Sequence, residues 1–201
     1  MTKRFGFTLA EVLITLGIIG VVAAMTIPTL MNQTGQAEFK TGFKKMISVL
    51  NQAVTMNVAL DNTDFSATTG TLTTDTTSIY SLFNNRMNII KTGTGGDLAG
   101  TASTGAAANY TLFFNDGMAI SWPIATAQGT QATPVKVLVD VNGSKKPNKL
   151  SNCNTASAAT KEATTETCSP ATLIVGDQFS VKMYDQTVIP NGNAARYVMY
   201  Q

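Results

Sequence analysis

Histidine is absent from the 201 residues. That removes the Ser-His-Asp and Cys-His nucleophile arrangements, the usual zinc ligand sets and the commonest general base. Cys153 and Cys168 form no Cys-x-x-Cys motif, so neither a zinc knuckle nor a thiol redox centre is readable. Gly93-Thr94-Gly95-Gly96 lacks the G-x-G-x-x-G spacing of a phosphate loop. Asp116, Asp140 and Asp177 each sit in a turn context that already accounts for them, and no enzyme is predicted. One carboxylate is out of place: Glu11 is the sole charge in an apolar run from Phe7 to about Leu30, and an acid inside such a run needs a purpose. A second constellation is rich in oxygen. Asp140-Val141-Asn142-Gly143 follows a predicted strand, Pro147-Asn148 closes a turn, and Gly176-Asp177 precedes the next strand. The Asp-x-Asn-Gly portion is similar to turns that bind calcium, with Asp140, Asn142 and Asp177 as candidate ligands. The bidentate Glu of an EF-hand loop is missing, and Asx turns joining strands explain the residues equally well. Calcium is the one cofactor suggested.

The elements that would position these residues divide the chain. Lys3 and Arg4 precede the apolar run, and no charged side chain occurs between Val12 and Ala37. A membrane span needs about 20 apolar residues at a rise of about 1.5 Å each, and residues 7–30 meet that length. The positive-inside bias keeps the basic end cytoplasmic and sends the remainder outward. The stretch is longer than a secretory h-region and no small-x-small cleavage site follows it, so a plain signal anchor is the simplest competing reading.

Farther on, Phe39, Phe43, Met46, Ile47, Leu50, Val54 and Val58 recur at steps of three and four, while Lys40, Lys44, Lys45, Asn51 and Gln52 fill the other face. This predicts an amphipathic helix, continuous with the apolar run from about Phe7 to Leu60 and interrupted near Pro28. Beyond Leu60, residues 61–77 and 92–109 read as loops flanking a short apolar element at Ile79–Ile90. Tyr110–Phe114 and Met118–Trp122, joined by Asn115-Asp116-Gly117, predict a hairpin. Val135–Val141 and Gln178–Tyr184 predict two strands, and Tyr197–Tyr200 a last edge strand. The net charge of +2, from 14 basic and 12 acidic side chains, offers no basic surface for nucleic acid.

Gly6-Phe7-Thr8-Leu9-Ala10-Glu11-Val12-Leu13-Ile14 resembles the processing site of type IV pilins and type II secretion pseudopilins: a short basic leader ending in Gly, then Phe, Thr-Leu and, at the fifth mature position, Glu. Pro28 stands where many members have a helix-breaking proline. The resemblance covers roughly the first 35 residues. It implies an α+β pilin-like fold, with a long N-terminal membrane-spanning helix packed on a small antiparallel sheet. It divides the chain into a leader (residues 1–6), a transmembrane and filament-core helix (7–34), the amphipathic half of that helix (35–60) and an extracytoplasmic domain (61–201). A prepilin peptidase would cut between Gly6 and Phe7 and methylate the new amine. Glu11 would then lie one turn from an ammonium, on its own chain or on a neighbouring subunit, where the pair sets register. Gly17, Gly20 and Pro28 weaken the helix where family filaments commonly lose helical order; small-residue helix packing accounts for them nearly as well.

The implied partners are the peptidase, homologous subunits, an inner-membrane assembly platform and, before assembly, the lipid bilayer. The implied role is a subunit of a secretion pseudopilus or of a surface pilus, with a non-polymerising anchored binder as the contrasting class. The topology places Cys153 and Cys168 in an oxidising compartment, where a disulfide persists. Closing a loop of about 15 residues stabilises by about 3 kcal/mol in the chain-entropy model. Many pilins carry a disulfide near the C-terminus, which agrees; two unpaired thiols are the alternative.

Overall fold

The structure is a computed structural model that describes residues 6–70, 74–94, 109–123, 129–153 and 168–201, with only the backbone of Asn32 and Thr94. The leader residues Lys3 and Arg4, most of the 92–109 stretch and the span between the cysteines lie outside the described residues. Helix α1 (Leu9–Asp61) carries both predicted helical halves. It runs through Pro28 without a break, although the sequence predicts an interruption there. A proline deletes one i→i−4 hydrogen bond while the turns on either side keep theirs, so helical geometry survives. The chain divides into two compact units, residues 1–38 and residues 39–201.

In the first unit, every described large apolar side chain from Leu9 to Met31 is exposed. By length and composition the helix contains an apolar stretch long enough to cross a membrane.

In the second unit, six strands form one antiparallel sheet in simple meander order: β1 (Ile89–Thr94), β2 (Asn109–Phe114), β3 (Ala119–Pro123), β4 (Val135–Asp140), β5 (Gln178–Tyr184) and β6 (Thr187–Pro190). Alternate residues face opposite sides of a strand. Tyr110, Leu112 and Phe114 of β2, Ile120 and Trp122 of β3, Val135, Val137 and Val139 of β4, and Phe179, Val181 and Met183 of β5 therefore supply one buried layer. The amphipathic stretch of α1 supplies the other, through Phe43, Met46, Ile47, Leu50, Ala53 and Val54. Phe43 stacks on Phe179 with ring centroids 4.2 Å apart. The predicted helical stripe and the hairpin are both observed.

Three elements differ from the sequence reading. Ile79–Ile90 holds a short helix, α2 (Ile79–Asn84), capped by the Ser78 side chain, and the start of β1. Tyr197–Tyr200 belongs to helix α3 (Asn193–Tyr200), not to an edge strand. Gly192 adopts a positive φ ahead of it, and Ala194, Ala195 and Val198 are buried at helical spacing as α3 packs on β5 and β6. The edge strand on that side is β6, whose four residues carry too short an alternation to read. Asn51, placed by its polarity on the solvent face, instead reaches β6: its Nδ2 donates to the Val188 carbonyl at 2.8 Å and its Oδ1 accepts from the Val188 N–H at 3.0 Å. A helix side chain thus satisfies the open edge of the sheet, which would otherwise be a template for pairing.

Candidate functional site

The helix N-terminus is built by a reciprocal pair. The Thr8 side-chain oxygen accepts from the Glu11 N–H at 3.2 Å, and the Glu11 carboxylate accepts from the Thr8 N–H at 2.8 Å and the Thr8 hydroxyl at 2.8 Å. This is a capping box, in which two orphan amides of the first turn are satisfied by the side chains three residues apart. Sequence reasoning gave Glu11 an ammonium partner and passed over Thr8, although Thr8-x-x-Glu11 immediately before an apolar helix is the legible form of this motif. Gly6 and Phe7 precede the helix as non-helical chain, both exposed, with Phe7 90% accessible. A backbone bond in exposed, irregular chain is accessible to a peptidase in a way that a bond within α1 is not. Pro28 lies 17 residues beyond Glu11 on the same helix.

The second constellation forms a clasp at the β4–β5 connection. Asp140 and Asp177 are both fully buried. Asp140 Oδ1 accepts from the Asn142 N–H at 3.1 Å, and its Oδ2 accepts from the Gln178 side-chain amide at 3.0 Å. Asp177 accepts from the N–H groups of Asn148 at 2.7 Å and Lys149 at 2.6 Å. Burial pushes the Asp140 carboxyl up to about 6, with the nearby Asp177 charge adding in the same direction against the hydrogen bonds from Gln178 and Asn142.

Two glycines in the motif have steric reasons. A Cβ at Gly143, whose φ is +72°, would stand 2.6 Å from the Gly117 carbonyl oxygen, and one at Gly176 would collide with that of Lys149. Ser151 locks the far side: its hydroxyl donates to the Gly176 carbonyl and accepts the Gly176 N–H. One Asx-type contact at Asp140 and the long-range bonds to Asp177 therefore hold the loop by its backbone N–H groups.

Among the described residues, the buried side-chain oxygens of Asn142, Asn148 and Gln178 have no hydrogen-bond donor. They belong to the same clasp as the two carboxylates, and oxygens of both kinds are donors that a hard cation prefers. Among the described residues no group of three His, Cys, Asp or Glu is placed to hold a metal, so any cation here would rest on amide oxygens as much as on carboxylates. Immediately beyond the clasp, Asn152 exchanges both backbone hydrogen bonds with Ile174, and Cys153 is bonded to Cys168 with Cα atoms 5.1 Å apart. The structure thus brings Asp140, Asn142 and Asp177 together and joins the two cysteines.

Residues 1–27 match the family model described as the prokaryotic N-terminal methylation motif, the cleavage signature of type IV pilins and pseudopilins. No curated protein and no solved structure matches the chain.

Proposed function

We propose that the chain is a structural subunit of a type IV pilin-like filament, assembled as a pseudopilus of a type II secretion system. The N-terminal methylation motif, lying over a helix whose described large apolar side chains from Leu9 to Met31 are all exposed, is the observation that carries this reading. Apolar surface on that scale is stable only in lipid or against other apolar helices, and a filament of like subunits supplies the second once the first is left behind. In this account the precursor sits in the bacterial inner membrane with its N-terminus cytoplasmic and its C-terminal body outside. A prepilin peptidase cuts at Gly6 and methylates Phe7, and an assembly platform moves the mature chain into a periplasmic filament. Asp140-Val141-Asn142-Gly143 with Pro147-Asn148 resembles pseudopilin tails and favours secretion over a surface pilus.

In the precursor Glu11 is held by Thr8. After cleavage the same carboxylate lies within a turn of the new ammonium, and a neighbouring subunit's amine can compete for it. Mass spectrometry of the membrane fraction tests the first step: the expected mature chain begins at methylated Phe7, and a chain retaining Met1 or Thr2 sinks the reading. Glu11→Val should insert normally yet enter filaments poorly; unchanged polymer yield would show that the carboxylate is dispensable. Loss of protein export on deletion supports the pseudopilus, whereas loss of twitching, adhesion or DNA uptake supports a major or minor pilus subunit.

Calcium at Asp140, Asn142 and Asp177 is a second reading, favoured by the donor-less oxygens of Asn142, Asn148 and Gln178. A rise in melting temperature with calcium that chelator reverses and Asp140→Asn abolishes supports it; no calcium-dependent change overturns it.

A further inference from the structure

The body has one strongly basic end, assembled from segments about 100 residues apart in sequence. Its first part is the opening of the amphipathic stretch of α1, with Lys40, Lys44 and Lys45. Its second is the β4–β5 loop, with Lys145, Lys146 and Lys149. Three contacts bring them together. A Cβ placed on Gly42 would stand 3.2 Å from the Val141 Cβ, so the helix passes directly over the start of the loop. Lys45 Nζ lies 2.9 Å from the Asp116 carboxylate in the β2–β3 turn. That turn touches the loop where Gly117 meets Gly143. The clasp then fixes the lysines' backbone, because Asp177 holds the N–H groups of Asn148 and Lys149.

Lys44, Lys45, Lys145, Lys146 and Lys149 are exposed and Lys40 is half-exposed. Six of the nine lysines among the described residues gather here, so the patch is a feature of the fold and not of the mild net charge. Among the described residues, Lys45 alone of the six has a carboxylate partner, Asp116. Asp140 and Asp177 are buried below the surface; exposed Glu38 is the nearest other acid in sequence. The exposed apolar run ends at Met31, nine residues before Lys40. Even fully extended, nine residues reach only about 30 Å, so chain connectivity bounds how far Lys40 can stand from any bilayer that the run enters.

We propose that this lysine-rich end of the body docks on anionic phospholipid headgroups, with Lys145, Lys146 and Lys149 joining Lys40, Lys44 and Lys45 in the contact. Clustered lysines next to a span are attracted to a negatively charged surface, on the order of fivefold in affinity per residue, and the attraction decays within a Debye length. Docking would hold the body in one orientation before the chain leaves the membrane. The inference rests on the membrane reading of the apolar helix, and its test separates the two.

The full-length chain is placed in lipid nanodiscs of phosphatidylcholine alone, or with about 30% phosphatidylglycerol, and lysine acetylation rates are read by mass spectrometry. Acetylation of Lys145, Lys146 and Lys149 should slow by about fivefold or more in the anionic discs and recover in about 1 M salt, while Lys91 and Lys182 stay unchanged. Equal rates in both discs overturn the proposal. So does protection that appears in neutral discs only when two copies share a disc, which would assign the patch to a second chain. Vesicle flotation checks the underlying reading. Retention on neutral vesicles at high salt shows the inserted helix. Flotation only with anionic vesicles at low salt would leave the docking standing without the span, and flotation with neither would overturn both.

Discussion

Helix α1 is two regions under one backbone geometry. From Leu9 to Met31 its apolar side chains face outward on all sides. From Phe43 to Val54 they occupy one stripe and are buried against the sheet. The same backbone hydrogen bonds serve both, so the difference lies in the medium each sequence matches. An all-round apolar surface suits lipid or other apolar helices, and a striped one suits a folded body in water. Residue chemistry selects the environment, while the helix only holds the residues at their spacing.

The largest expected effect breaks the striped region. Phe43→Ala removes a fully buried ring stacked on Phe179 and should cost about 3–5 kcal/mol, read by denaturation of the full chain in detergent. Leu16→Ala, in the exposed region, should leave the stability of the body unchanged; equal losses at both positions would erase the contrast. Next comes the covalent tie. Cys153→Ser with Cys168→Ser should lower stability by about 3 kcal/mol through the 15-residue separation that the bond closes, with secondary structure retained in circular dichroism. Reaction of two thiols per non-reduced chain would show that the bond does not form. The smallest effect sharpens the boundary between helix and sheet. Asn51→Ala strips both partners from Val188 and should cost about 1–3 kcal/mol, with faster amide exchange at Val188. Unchanged exchange there would mean that water replaces the side chain.

Much of the fold was legible because it rests on periodicity. The three-and-four spacing from Phe39 to Val58 and the alternation around Asn115-Asp116-Gly117 each reflect a single element burying one face, and both were found where expected. Tyr197–Tyr200 misled because four residues rich in aromatic and β-branched types look like a strand, whereas Ala194 and Ala195 upstream already serve a helix that packs on β5 and β6. Asn51 misled because polarity is a poor guide to exposure when a sheet edge needs a donor and an acceptor. The capping partner Thr8 was readable and was eclipsed by the charge of Glu11.

By itself the sequence determined the local matters. These are the N-terminal methylation motif of residues 1–27, the capping pair Thr8 and Glu11, the apolar length of the helix and the stripe that follows it. Each depends on residues within a few turns of one another, where spacing alone decides which side chains meet. Only the tertiary structure decided that Asp140 and Asp177 share one buried clasp, that Asn51 closes the edge of β6 and that two groups of lysines meet at one end of the body. Those contacts join residues tens to more than a hundred positions apart, and burial and register bring them together only once the sheet has formed.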